Sequence, residues 1–249
     1  MNLGAWFTDP ANWTGPGGVP TRVLEHLYYS GLALVIAILI AVPIGAAVGH
    51  SGRGGFLVVG IANWLRSLPD LGLLILLVLL VGISLISVTV ALLVLAIPPL
   101  LAGTYAGVAN VDRSVVDAAR GVGMRERDIL LRVELPNALP LLLGGLRAAA
   151  LQVIATTAIA AIASFGGLGR YLIDGQAYRD YTEMAAGAVL IAVLALIVEG
   201  VLAGVQRLVV SPGLRAVDTR IRPPAEPAND PTSPAPTDRS SHEMAGVNS

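Results

Sequence analysis

Long uncharged runs restrict this chain more than any other feature of its sequence. From Leu27 to Gly49 it reads LYYSGLALVIAILIAVPIGAAVG without a formal charge, and no charged residue occurs between Asp70 and Asp112. A helix needs about 20 apolar residues to cross the hydrocarbon of a bilayer, because every backbone polar group there must be paired within the segment. Five stretches meet that requirement: residues 27–49, 56–82, 83–108, 138–163 and 184–206. Pro43 falls inside the first and the segment RSLPD interrupts the second; membrane helices tolerate such breaks. Composition agrees, with 55% hydrophobic and 13% charged residues against about 25% charged in a soluble domain. The expected fold class is an all-α membrane protein with about five transmembrane helices.

The same composition excludes much chemistry. The chain has no Cys and a net charge of −1, which removes thiolate metal sites and Cys nucleophiles and leaves no basic surface for nucleic acid. No nucleophile stands beside a base, no metal-ligand cluster is visible, and no GxxxxGK[ST] phosphate loop occurs. Neither catalytic residues, a metal nor a cofactor is expected on this chain. If ATP is used, another chain binds it.

Orientation follows from arginine, since all 16 basic residues are Arg and cytoplasmic segments carry the excess of basic residues. With the 50–55 turn, the 109–137 loop and the C-terminal segment inside, the cytoplasm holds Arg53, Arg113, Arg120, Arg125, Arg127, Arg132, Arg207, Arg215, Arg220, Arg222 and Arg239. Arg22, Arg170 and Arg179 remain outside, and Arg66 and Arg147 lie within spans. Eleven against three places the N-terminus outside and the C-terminus inside, in a multi-pass protein of the cell inner or plasma membrane. Residues 1–21 are read as a retained, turn-rich extracytoplasmic leader, and residues 207–249, rich in Pro, Ser, Thr, Asp and Ala, as a disordered cytoplasmic tail.

One internal stretch, VDRSVVDAARGVGMRERDILLRVELPNALP, gathers ten of the 33 Asp, Glu and Arg residues. Ser114 followed by Asp117 fits a capping box, and Val115, Val116, Ala119 and Val122 recur at helical spacing. A short amphipathic helix is therefore expected from near Asp112. Gly121 and Gly123 permit a left-handed turn, and a second helix is expected to run to Pro136 and stop there. Ala118 and Ala119 would leave a low surface ringed by charge, suited to docking rather than catalysis.

Those residues also carry a resemblance. Asp117, Ala118, Ala119, Gly123, Val133, Leu135 and Pro136 resemble, at the same spacing, the Glu-Ala-Ala loop of the type I permeases of ABC importers. Asp for Glu and Val for Ile are the departures, and each keeps charge or shape. The resemblance covers residues 22–206, through IPPLLAGTYAGVANVD, AARGVGM, RVELPNALP and FGGLGRYLIDG. Within that superfamily the chain is most similar to permeases for glycine betaine, choline, carnitine or proline betaine. The methionine-type permease, which shares the five-span layout and an ANxxRSxP segment, is the runner-up and supplies the expected fold. The resemblance implies an ATPase subunit, a second permease subunit (identical or paralogous) and an extracytoplasmic solute-binding protein, all assembled in the lipid bilayer. Asp117, Ala118, Ala119, Gly123, Leu135 and Pro136 would then form the ATPase-coupling element.

Arg66 and Asp70 lie four residues apart, so a helix through RSLPD would bring them together as an intramembrane pair. They are expected to line a translocation path with Tyr105, Gln152 and Thr156; Asn63, Thr104, Thr157 and Ser164 are further polar candidates. Glu199 is expected to pair near Arg207 or with a headgroup, and FGGLG to form a tight turn. Two other classes compete. A secondary transporter would carry more intramembrane carboxylates and an internal repeat, and a simple membrane anchor would leave Arg66 and Asp70 without a role.

Overall fold

The computed structural model describes residues 2–210, and every regular element among them is helical. Most of the segment expected as a tail lies outside the described residues. A short helix α1 (Leu3–Thr8) and a 3-10 turn (Pro10–Trp13) precede α2 (Val19–Ser51), the longest helix. The segment expected to be turn-rich therefore folds on itself: Asn12 Nδ2 donates to the Trp6 carbonyl and Trp13 Nε1 to that of Phe7. Trp6 meets Tyr171 edge to face. Next come α3 (Gly55–Arg66), α4 (Asp70–Val81) and α5 (Leu85–Ala109).

The charged loop supplies α6 (Arg113–Gly121) and α7 (Glu126–Ile129), and a π-helical turn (Leu130–Glu134) leads into α8 (Leu135–Thr157). A 3-10 turn (Ala158–Ala163), α9 (Gly169–Tyr178) and α10 (Tyr181–Val209) follow. Helices α2 and α10, α5, and the run 126–163 are each long and apolar enough to cross a membrane. The α3–α4 pair is apolar enough only when taken together and bends by 83° at its break, the geometry of a broken span or a re-entrant loop. The break sits where Pro69 holds an extended backbone (φ −72°, ψ 120°), the conformation its ring permits. Pro69 also disfavours helix at Leu68.

Small residues set the packing. Along α2, Ala33, Ala37, Ala41, Gly45 and Gly49 are all buried at four-residue spacing. A Cβ on Gly45 would stand 2.9 Å from Thr104 Cβ, and one on Gly49 2.8 Å from Val108 Cβ, both on α5. On the other side of α5, Gly103 and Gly145 of α8 meet backbone to backbone. Lipid tails are as apolar as leucine, so membrane helices associate by close packing of such small surfaces. The outward face of α10 is apolar, with Leu196, Ile197, Val201 and Leu208 exposed.

Pro136 does not end the second loop helix, contrary to the sequence expectation. The chain runs helically from α7 through the π turn into α8, with Pro136 in the first turn of α8. A proline inside a helix clashes with the carbonyl four residues back and removes one donor. The wider π turn accommodates this: the Leu135 N–H reaches back to the Leu130 carbonyl, and Asn137 Nδ2 takes the Val133 carbonyl at 2.7 Å.

Glu199 pairs with Arg147 of α8, whose other arm donates to Gln206 Oε1 at 2.7 Å. The partner expected from sequence was a charge near Arg207 or a headgroup, because no local pattern links Glu199 to a residue 52 positions away. Charge within a span is expensive unless paired. Arg147→Met is expected to lower the melting midpoint in detergent clearly, and the double variant Arg147→Met/Glu199→Leu to recover most of the loss. Equal midpoints for the single and double variants would show that the pair does not tie α8 to α10.

Candidate functional site

The α6–α7 hairpin is built from local rules. Asp112, rather than Ser114, caps α6: its carboxylate accepts the Ser114 N–H at 2.9 Å, which holds the Asp112 carboxyl below the usual carboxylate range. At the far end the Gly123 N–H bonds the Arg120 carbonyl and the Met124 N–H that of Ala119, with Gly123 at φ +84°. That is a Schellman close, which needs a left-handed residue after the helix. Gly121 remains within α6, so Gly123 alone makes the turn.

The hairpin has its own core of Val116, Ala119 and Ile129, with Val111, Met124 and Val133 against it. Val115 and Val122, expected on the same face, are exposed. Ala118 and Ala119, expected to form one low surface, point apart: Ala118 is exposed, while Ala119 is buried in the hairpin. Successive residues on a helix are about 100° apart, so both cannot lie on one face. What α6 presents outward is Asp117 and Ala118, with Arg120 beside them. Leu135 is half-buried and Pro136 exposed, both at the start of α8.

Arg120 organises the charges. Its Nε and Nη2 donate to the two oxygens of Glu126 at 2.9 and 3.2 Å, and its Nη1 donates to Asp117 at 3.2 Å. A forked guanidinium on a carboxylate is the stronger geometry for an exposed pair. Beyond Glu126 the contacts continue to the His50 ring, at the end of α2, and from it to Glu134. Both are functional candidates without a local signal: His50 lies outside the loop, and Glu134 occupies the variable position between Val133 and Leu135.

The second set of expected residues is only partly brought together. Asp70, at the start of α4, and Thr156 line one cavity with Leu74, Val88, Leu92 and Ile159. Arg66 ends α3 on the other side of the bend and is exposed; Arg66 and Asp70 form no ion pair. The 83° break explains this, because residues four apart share a face only in an unbroken helix. Tyr105 turns its hydroxyl toward Gly55 at the foot of α3, and Gln152 is exposed on α8. Thr104, Thr156 and Thr157 each donate to the carbonyl four residues back, and Thr157 also meets Ser30 across helices at 3.0 Å. Asn63 and Ser164 are exposed.

The opposite end of the bundle closes differently. Glu25 accepts the Gly167 N–H at 2.7 Å, buried His26 bonds the Ile154 carbonyl at 2.9 Å and accepts the Leu168 N–H, and Tyr171 donates to the Gly17 carbonyl. The FGGLG segment makes the expected tight turn, with Gly167 at φ +88°, and α9 follows at once. Two polar residues at the head of an apolar run were the available signal for this fastening.

Comparison with known proteins agrees with this architecture. The family described as binding-protein-dependent transport system inner membrane component matches residues 31–216. The glycine betaine/carnitine/choline transport system permease protein OpuCB of Bacillus subtilis (strain 168) is 32% identical over 204 residues, covering 82% of this chain and 94% of that protein. The osmoprotectant import permease protein OsmW of Salmonella typhimurium is 31% identical over 204 residues, covering 80% and 95%. Among solved structures, an inward-facing conformation of the MetNI methionine ABC transporter matches with a TM-score of 0.68 at 24% identity, over 82% of this chain and all of that one. This likeness establishes a shared fold.

Proposed function

The chain belongs to the family of binding-protein-dependent transport system inner membrane components, the membrane permeases of ABC importers, and we propose that it carries compatible solutes of the quaternary ammonium type. Relatives named for glycine betaine, carnitine, choline and osmoprotectants match four fifths of the chain at 31–32% identity, and that observation carries the reading. The likeness to the MetNI methionine ABC transporter, at 24% identity, bears on the fold rather than on the solute.

In this reading the permease works beside a second permease subunit, identical or paralogous, with an ATPase on the cytoplasmic side and a solute-binding protein outside. The helix α6 is the coupling element, Asp117 and Ala118 facing the ATPase while Ala119 and Gly123 hold the hairpin in shape. The arginine count supports an outside N-terminus and an inside C-terminus. The Gly52 turn and the α6–α7 hairpin, joined by His50 at one end of the bundle, are consistent with one another in lying on the same side. Asp70 and Thr156 are proposed to face the solute path at the bend, with Arg66, Tyr105 and Gln152 contributing along it. Residues 22–206 form the transport domain in this scheme, residues 1–21 its outer leader and residues 207–249 a cytoplasmic tail. Aromatic contacts among the described residues are edge-to-face pairs such as Tyr29 with Phe165, so selection of the solute is assigned mainly to the binding protein.

Uptake of labelled glycine betaine, choline and methionine in cells with and without this chain tests the assignment. Uptake of a quaternary ammonium solute is expected to depend on the chain. Loss of methionine uptake alone would overturn the solute class.

A further inference from the structure

His50 is the last-turn histidine of α2, outside the loop motif, and both of its ring nitrogens face carboxylates. Nδ1 lies 2.5 Å from Glu134 Oε2 and Nε2 3.2 Å from Glu126 Oε2. Each ring nitrogen is thus within hydrogen-bond reach of a carboxylate oxygen, so one side chain bridges two acidic residues. Glu134 is 2% exposed. A buried carboxylate demands a partner, and among the described residues the ion pair it makes is with His50.

The two carboxylates belong to different parts of the machine. Glu126 opens α7 and is held from α6 by the fork of Arg120, which also holds Asp117. Glu134 closes the π turn, and that turn runs without a break into α8. A single π turn shifts the register of side chains on the helix it interrupts, and here it accompanies a glutamate that meets α2. His50 therefore joins three elements at one point: α6 through Glu126 and Arg120, the head of α8 through Glu134, and α2 through its own backbone.

We propose that His50, clamped between Glu126 and Glu134, is a positioning residue for transport: it passes displacement of the coupling helix α6 to the membrane helices α2 and α8. The inference rests on the reading of α6 as the coupling element. When the ATPase moves α6, the two His50–carboxylate contacts carry α2 along with α8, so that both flanks of α5 respond together. Without them α6 still engages the ATPase, but its movement reaches α8 through the backbone while α2 lags.

The test uses the complete importer reconstituted in liposomes, with solute uptake and ATP hydrolysis measured on the same vesicles. His50→Gln, which offers one donor and one acceptor, is expected to lower solute moved per ATP at least five-fold while solute-stimulated hydrolysis falls less than two-fold. His50→Arg, whose fork presents donors to both carboxylates, is expected to restore most of the ratio, and Glu134→Gln to resemble His50→Gln. Ala118→Trp, on the outer face of α6, serves as the separate probe of the coupling reading. If Ala118→Trp abolishes stimulation while His50→Gln leaves the ratio unchanged, the joint is wrong and the coupling helix stands. If neither changes anything, the coupling reading itself fails. If His50→Gln lowers uptake, hydrolysis and the amount of assembled importer in proportion, and His50→Arg does not restore the ratio, His50 serves folding alone and the proposal is overturned.

Discussion

Gly145→Val is expected to abolish most of the folded protein, whereas Gly144→Val, one residue away on the same helix, is expected to be tolerated. A Cβ on Gly145 would stand 2.6 Å from the Pro99 carbonyl oxygen and 3.1 Å from Gly103 Cα. Those are backbone atoms of α5, so no rotamer change relieves the clash and the two helices must separate. Overpacking usually costs about 1–3 kcal/mol where side chains can adjust, and more is expected where the obstacle is backbone. Native stability is itself only about 5–15 kcal/mol. Gly144 has nothing within 4 Å of a built Cβ, and valine is a better helix former than glycine. The yield of monodisperse protein in detergent and its melting midpoint decide the matter. Equal midpoints for the two variants would mean that α5 and α8 do not pack through these glycines.

Ala118→Trp is expected to leave the permease folded and to reduce solute uptake about ten-fold or more, a loss equivalent to about 1.4 kcal/mol of docking energy or greater. The exposed Ala118 methyl leaves room for another surface to approach α6, and an indole there fills the approach without touching the hairpin core. Ala119→Trp contrasts with it, since the buried Ala119 packs on Val116 and Ile129 and a large ring there unseats the hairpin itself. Gly123 separates shape from contact. With φ +84° and open space around a built Cβ, Gly123→Val carries mainly the left-handed backbone cost of about 1–2 kcal/mol. Gly123→Asn, which visits that conformation readily, should remain close to the parent in uptake. Solute-stimulated hydrolysis in proteoliposomes reads all four variants. Full stimulation with Ala118→Trp would remove α6 from the ATPase contact.

Much of the fold was legible in the chain because hydrocarbon is an undemanding solvent to predict for. The apolar runs correspond to four helices long and apolar enough to cross a membrane and one bent pair, and the first run, 27–49, lies within the longer helix Val19–Ser51. RSLPD was recognisable as a break from Pro69 alone. The bend also removed the expected pairing of Arg66 with Asp70, because the contact required an unbroken helix. In the loop, periodicity placed α6 and its buried Val116 and Ala119, but it also included the exposed Val115 and Val122 and could not choose Asp112 over Ser114 as the cap. Adjacent residues of similar character compete for such roles, and the partner that reaches first is a matter of geometry.

Long-range partners are where sequence reasoning ended. Glu199 meets Arg147 and His50 meets Glu134 across gaps in sequence that no local pattern spans. The buried stripe from Ala33 to Gly49 appears in the chain merely as small residues among apolar ones. What the sequence by itself determined is that this chain must cross a membrane about five times, with its charge gathered in one loop: backbone polar groups in hydrocarbon leave no other solution. Tertiary structure alone decided which small faces meet, which charges pair and how the loop is fastened to α2. Those choices depend on distances between helices, and only packing sets such distances.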